Sequence, residues 1–318
     1  MNALYSLSAV IILVLFVLMG VGGLGLYSLF GVIIPYAAVV TFIAGFIYRL
    51  FKWARAPVPF HIPIVCGQQK SLPWIKANNI ESPSNTAGVI VRMALEVLLF
   101  RSLFRNERVE LKAGQKLVYR GNKYLWLGAL AFHWSLLIIL LRHASRLFTE
   151  PVSSLAVPTL YITDIIILIA LTYLFVRRVI YPQIRYISLP SDYFAVLLLL
   201  GVAISGVLMR LFYKVDVVAV KELAMGVLTF HPVIPEGVGL PVYIHLFLVS
   251  TLLAYFPFSK LMHAAGIFLS PTRNLKNNSR MRRHINPWDY SVKVHTYEEW
   301  EDEFREAIKG VGLPLEKE

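Results

Sequence analysis

The chain has 318 residues, of which 57% are hydrophobic and 16% are charged, and its mean hydropathy is +0.62. A soluble globular domain carries about 25% charged residues, so this composition excludes an ordinary soluble protein and indicates several membrane spans. The net charge of +12 does not indicate nucleic acid binding, because the basic residues lie in a few segments beside the apolar runs, as membrane topology requires.

Six segments are long and apolar enough to cross a bilayer, which takes about 20 apolar residues. They cover roughly 4–26, 31–51, 123–145, 157–180, 190–213 and 241–266. The first segment lacks a basic start and a small-residue cleavage site, so we interpret it as a retained span. The first two segments are separated by a glycine-rich stretch and form either a tight hairpin or one broken element. The sequence therefore predicts an all-α integral membrane protein with about six transmembrane helices.

The distribution of Lys and Arg predicts the orientation of these spans. Residues 49–123 carry thirteen of them against four acidic residues, whereas the loops near 146–156 and 214–240 hold few. The positive-inside rule places the N-terminus, the 52–122 loop and the C-terminus in the cytoplasm, with the chain in the cytoplasmic membrane. This division predicts four parts: an N-terminal transmembrane hairpin (1–51), a cytoplasmic partner-binding loop with an interfacial helix (52–122), a helical bundle (123–266) and a cytoplasmic tail (267–318).

The 52–122 loop has the composition of a covered surface. Five prolines exclude a long helix in its first part, which is nevertheless apolar and aromatic. Residues 85–105 predict an interfacial helix on which Arg92 and Glu96 form an i,i+4 pair. Cys66 is the only cysteine of the chain, so any iron–sulfur cluster must belong to a partner.

The C-terminal tail ends in a short acidic helix. Thr296 and Glu299 form a capping-box pattern at its start, and Gly310 fits its end. Its acidic face is either solvated or docks on a basic partner.

Four histidines lie inside the apolar segments, in two pairs. His133 and His143 share the segment FHWSLLIILLRH, and His245 and His263 share IHLFLVSTLLAYFPFSKLMH. Polar rings at that depth are costly and usually functional. On α-helices the two spacings correspond to rises of about 15 and 27 Å. Two helices with two histidines each predict a bundle that holds two haems, one above the other.

The predicted topology also pairs the histidines. Because the two helices run in opposite directions, His133 and His263 lie toward the cytoplasm, and His143 and His245 lie toward the outside. The two rises do not match, so helix tilt or a kink at Pro257 must absorb the difference. Interhelical hydrogen bonding, a transition-metal transporter and a proton pathway are the alternatives, although the last two usually need more intramembrane carboxylates.

Further polar residues on the outer side are candidates for contacts with haem propionates or a quinone: Arg142, Arg146, Asp164, Arg210 and His231. Each also has a simpler interpretation. The two arginines beside His143 could snorkel to the interface, the aspartate and Arg210 could form an interhelical ion pair, and the histidine could be an ordinary loop residue.

The histidine spacings resemble those of the dihaem cytochrome b (gamma) subunits of respiratory nitrate reductases, over residues 123–266. This resemblance implies that two haem b groups are ligated by His143 with His245 and by His133 with His263. It also implies a quinone site near the outer pair, without a motif that identifies its residues.

Longer segments resemble the M subunits of DsrMKJOP complexes of dissimilatory sulfur metabolism, among them RMALEVLLFRSLFRNE, LAYFPFSKLMH and FLSPTRNLKNNSRMRRHINPWDY. This resemblance implies electron transfer from menaquinol through the haems to a cytoplasmic iron–sulfur subunit like heterodisulfide reductase. It implies further partners: a periplasmic multihaem cytochrome c, a ferredoxin-like subunit and a second membrane subunit. We expect the iron–sulfur partner to dock on the 52–122 loop and the tail. The alternative function is a haem-free membrane anchor or a metal or proton transporter.

Overall fold

The computed structural model of the chain describes residues 1–57, 67–112, 116–148, 161–281 and 294–316. The structure is mainly helical. Its α-helices are α1 (Asn2–Val17), α2 (Ile34–Ala54), α3 (Thr86–Leu99), α4 (Arg101–Phe104), α5 (Lys123–Phe148), α6 (Ile162–Ile180), α7 (Pro182–Ile187), α8 (Pro190–Leu208), α9 (Val217–Leu228), α10 (Leu240–Tyr255), α11 (His263–Leu269), α12 (Pro271–Asn274) and α13 (Tyr297–Gly310). Segments of π-helix extend α1 over Leu18–Gly23, precede α2 over Leu29–Ile33 and extend α8 over Met209–Tyr213.

Five helical segments within these ranges are long and apolar enough to cross a membrane: Asn2–Gly23, Leu29–Ala54, Lys123–Phe148, Pro190–Tyr213 and Leu240–Phe258. They coincide with five of the six predicted spans, which supports a multi-pass membrane protein. The remaining predicted span, 157–180, corresponds to α6, which carries Asp164 in its first turn and Arg177 and Arg178 in its last. The start of its predicted span, 157–160, lies outside the described residues.

The helices of the second half of the chain pack in sequence, α5 on α6, α6 on α8 and α8 on α10. The N-terminal helix α1 packs on α8 and α10, and α2 packs on α10. Buried apolar clusters lie at these contacts, with Leu198 and Leu248 in one and Phe132 and Leu171 in another. The bundle therefore holds α5 and α10, the helices that carry the histidines, on either side of α6 and α8.

The last predicted span is not one continuous helix. Helix α10 ends at Tyr255, and two short 3₁₀ turns lead to α11, which begins at His263. Pro257 lies in the first turn and has no N–H to donate, and the Ser259 hydroxyl caps the second turn. The kink considered at Pro257 is therefore present as a break in the helix, and the rise of about 27 Å calculated for one continuous helix does not hold between His245 and His263.

The predicted 52–122 loop and the start of the tail form one folded unit (67–105 and 270–281), which we call the cytoplasmic unit after the side of the membrane that the charge distribution predicts for it. The buried guanidinium of Arg92 donates hydrogen bonds to the carbonyl oxygens of Glu81, Thr272 and Leu275 at 3.3, 3.5 and 3.3 Å, and also to that of Arg273. These bonds join α3 to the segment that follows α11.

A buried carboxylate reinforces the cytoplasmic unit. Glu81 accepts from Arg101 at 3.0 Å and also from Arg105. The predicted pair of Arg92 and Glu96 is wrong, because the Glu96 carboxylate contacts Arg273 at 2.6 Å while Arg92 turns to backbone carbonyls. Both residues thus link α3 to the tail rather than to each other.

Several elements depart from the sequence analysis. Strands β1 (Glu107–Lys112) and β2 (Lys116–Gly121) form an antiparallel hairpin, so the chain is not wholly α-helical. Helices α7 and α9 lie in segments between the predicted spans.

The tail helix α13 has the predicted capping box, with Thr296 and Glu299 each accepting from the other's N–H. Cys66 lies outside the described residues.

Candidate site of paired histidines

The structure brings His133 and His263 together. Their ring centroids are 6.0 Å apart and their planes are nearly perpendicular, at 81°. Nδ1 of His133 lies 2.7 Å from the carbonyl oxygen of Ala129, and Nδ1 of His263 lies 2.8 Å from that of Lys260. Because a carbonyl only accepts, Nδ1 carries the proton in both rings, which leaves each Nε2 as the nitrogen that can bind a metal.

The separation of these rings fits a metal held between two imidazoles. Metal–imidazole bonds are about 2 Å long. A nitrogen lies about 1 Å from its ring centre, so a metal bound by both Nε2 atoms places the centroids about 6 Å apart. The observed 6.0 Å therefore fits bis-histidine ligation. A carbonyl acceptor behind each ring is the usual way in which such a ligand is oriented.

The predicted outer pair is His143 on α5 and His245 on α10. Nδ1 of His143 lies 2.8 Å from the carbonyl oxygen of Ile139. The Ser205 hydroxyl on α8 donates to the carbonyl of Val202 at 3.0 Å, so its oxygen accepts from Nδ1 of His245 at 2.9 Å. In this pair too, Nε2 is the nitrogen left for a metal.

Three residues beside the histidines were not anticipated: Phe100, Ser205 and Gly206. A Cβ on Gly206 would lie 3.3 Å from Cε1 of His245, so glycine allows α8 to approach this ring. Ser205 and Gly206 are two adjacent small residues within an apolar run, and sequence analysis could have used them as a signal of close helix packing. Phe100 contacts His133 with ring centroids 4.9 Å apart, and nothing in its local sequence indicates this contact.

A polar cluster lies at the ends of α5, α6 and α8. The buried carboxylate of Asp164 accepts from Arg142 at 2.6 Å and from Arg210 at 3.1 Å, so the expected ion pair with Arg210 is present. The ring of Tyr161 lies 3.8 Å from the guanidinium carbon of Arg142 and 4.7 Å from that of Arg210. Arg146 donates to the Tyr161 hydroxyl at 3.0 Å.

The cluster has more positive than negative charge. Three guanidinium groups face one carboxylate, and the buried Nε and Nη1 of Arg142 make no hydrogen bond in the part of the chain that the structure describes. Arg142 directly precedes His143, so this excess of donors fits an anionic group near the outer pair. His231 is exposed in the loop after α9, where its Nδ1 contacts the carbonyl oxygen of Thr229 at 2.8 Å.

Within the described ranges, no three His, Cys, Asp or Glu side chains converge as they would around a metal ion. The two histidine pairs are therefore the arrangement to be explained. A pair of axial imidazoles suffices for a haem iron, whose other ligands come from the macrocycle.

Comparisons with known proteins give a consistent family. A match to the nitrate reductase gamma subunit family covers residues 88–284, which include all four histidines. A protein named Hdr-like menaquinol oxidoreductase cytochrome b-like subunit, from Archaeoglobus fulgidus, is 46% identical over 281 residues, which are 82% of this chain and 83% of the relative. A protein of the same name from Archaeoglobus profundus is 40% identical over 276 residues, which are 80% and 81% of the two chains.

Proposed function

Because this chain belongs to the nitrate reductase gamma subunit family, we propose that it is a dihaem cytochrome b subunit that transfers electrons between menaquinol and a cytoplasmic iron–sulfur partner. The observation that carries the proposal is the 6.0 Å separation of the His133 and His263 rings. Two haem b groups, when bound, supply one-electron carriers at two depths of the bilayer.

The protein's own residues hold and orient these groups. His133 with His263 would hold the inner haem, and His143 with His245 would hold the outer one. The acceptor behind each Nδ1 fixes the tautomer and restrains the ring, so that Nε2 would be the nitrogen that binds the iron.

The outer polar cluster is proposed to bind haem propionates. Arg142 supplies donors that no described residue accepts, and Arg146 and Arg210 add positive charge beside it. Asp164 is engaged by two arginines, so we assign it the role of orienting them rather than of accepting a proton from quinol. We place the quinone near His143 and His245, and we assign no quinone contact to His231.

The cytoplasmic unit is proposed as the docking site of the iron–sulfur partner. The name of the two Archaeoglobus relatives indicates an Hdr-like complex and menaquinol. The DsrM-like segments extend this proposal to dissimilatory sulfur metabolism. They also extend it to a periplasmic multihaem cytochrome c, a ferredoxin-like subunit and a second membrane subunit. We place both termini of the chain on the cytoplasmic side of the cytoplasmic membrane, which the basic residues of the 52–122 loop support.

The ligand assignment is tested by single-histidine variants. His143→Ala is expected to remove the outer haem and leave most of the inner one, whereas His263→Ala is expected to remove the inner haem. His231→Ala is the matched control, because this histidine is exposed in a loop, where its Nδ1 contacts the carbonyl oxygen of Thr229. Haem content and redox titration of the purified variants distinguish the two sites. Retention of two full haems in His143→Ala would contradict the assignment.

A further inference from the structure

We propose that Phe100 is a positioning residue for His133 and that the cytoplasmic unit holds it there. The proposal rests on the proposed function, because it concerns the orientation of an inner axial ligand. It would make the cytoplasmic unit part of the inner haem site as well as a docking surface.

Phe100 contacts the ring of His133 from the side of the cytoplasmic unit. The two centroids are 4.9 Å apart and the planes meet at 76°, an edge-to-face contact. The hydrogen bond from Nδ1 to Ala129 fixes one edge of the imidazole and still permits the ring to tilt about it. Phe132 of α5 contacts the same imidazole with centroids 4.7 Å apart. The phenyl ring of Phe100 limits the tilt from the α3 side and thereby contributes to the angle between the planes of His133 and His263.

The backbone of Phe100 is strained. It has φ 49° and ψ 46°, the left-handed region that bulky side chains rarely adopt. Such strain persists only where the surrounding structure over-determines the conformation, and it is concentrated at functional sites. The left-handed turn ends α3 and starts α4, and it places the phenyl ring against α5.

Two indoles of α5 hold the end of α3 in this position. Nε1 of Trp126 donates to the carbonyl of Leu99 at 2.7 Å, and Nε1 of Trp134 donates to that of Leu98 at 3.0 Å. The last carbonyls of a helix have no partner within it, so these bonds complete the end of α3. Trp134 directly follows His133, so the same turn of α5 carries the ligand and the anchor.

The other side of the turn is tied to the tail. Glu96 accepts from the backbone N–H and the hydroxyl of Ser102 at 2.9 and 2.6 Å, and it pairs with Arg273. Arg273 follows shortly after α11, the helix that begins with His263. Both inner histidines are therefore connected to the cytoplasmic unit, one through Phe100 and the other through α11 and α12.

The test uses the full-length chain purified from membranes with its haems. Phe100→Gly removes the ring and the strain, Phe100→Tyr keeps the ring, and Phe51→Leu is the control, since Phe51 is an exposed phenylalanine on α2. The readouts are haem content and the low-spin EPR signal of the inner haem, which depends on the angle between the axial imidazole planes. We expect Phe100→Gly to keep both haems while its inner signal shifts and broadens, and both other variants to match the wild type.

An unchanged inner signal in Phe100→Gly would overturn the proposal. If that variant does not assemble, Trp134→Phe decides, because it removes the N–H donor to Leu98 and keeps an aromatic ring: a shifted inner signal supports the proposal and an unchanged one overturns it. A wild-type chain with two haems and no response to these variants contradicts this inference alone. A wild-type chain without haem contradicts the proposed function, and this inference with it.

Discussion

The four histidines differ in what fixes their rings. His133, His143 and His263 each use a backbone carbonyl three or four residues earlier, which side-chain substitution cannot remove. His245 uses the hydroxyl of Ser205, a side chain on the neighbouring helix. The outer pair is therefore the one in which the hydrogen-bond partner of a histidine can be removed by a substitution that leaves the histidine itself unchanged.

Ser205→Ala is expected to weaken the outer haem site. Removal of a partner behind a metal-bound histidine typically lowers affinity by about 10- to 100-fold. Outer haem should be lost during purification or dilution while the inner haem stays, as measured by redox titration of the remaining haem. Ser135→Ala is the control, because that buried hydroxyl bonds only carbonyls of its own helix. Equal behaviour of the two variants would refute the role of Ser205.

At the scale of elements, apolar runs predict most spans because hydropathy alone sets where a helix can cross the bilayer. The break before His263 depends on tertiary packing as well as on Pro257. A Cβ on Gly45 of α2 would lie 2.9 Å from Pro257, so the broken segment is accommodated by a distant glycine. The four histidines could be proposed as haem ligands from sequence, since each pair lies within one apolar segment. Phe100 and Ser205 could not be assigned, since their roles come from contacts between helices.

The cytoplasmic unit depends on Arg92. In Arg92→Met, the carbonyl oxygens of Glu81, Thr272, Arg273 and Leu275 lose a buried charged donor, so we expect the unit to lose about 3 kcal/mol of stability. Hydrogen exchange in the 67–105 and 270–281 segments measures this loss. The exposed Arg280→Met is the control and should leave exchange unchanged. Unchanged protection in Arg92→Met would show that Arg92 does not join the two segments.

For the whole molecule, the arrangement places one histidine pair beside the cytoplasmic unit and the other beside the arginine cluster at the opposite end of α5. Such an arrangement suits a protein that moves electrons across the bilayer, provided that the cytoplasmic unit lies inside. The sequence predicts that orientation from charge alone, because the positive-inside rule needs no tertiary information.

Orientation is testable with single cysteines in a Cys66→Ser background. The exposed positions Lys70 and Glu236 lie on opposite sides of the membrane in the predicted topology. A membrane-impermeant maleimide should label Glu236→Cys in spheroplasts and Lys70→Cys only in inverted vesicles. The reverse pattern would invert the topology and the direction in which the two histidine pairs face.

The central claim is that the two histidine pairs hold haem. The most direct measurement is a reduced-minus-oxidised spectrum of the purified wild-type chain, combined with a pyridine haemochrome assay. We expect about two b-type haems per chain, one for each bis-histidine pair. A chain expressed with adequate haem supply that contains none would contradict the account and favour a haem-free anchor or transporter.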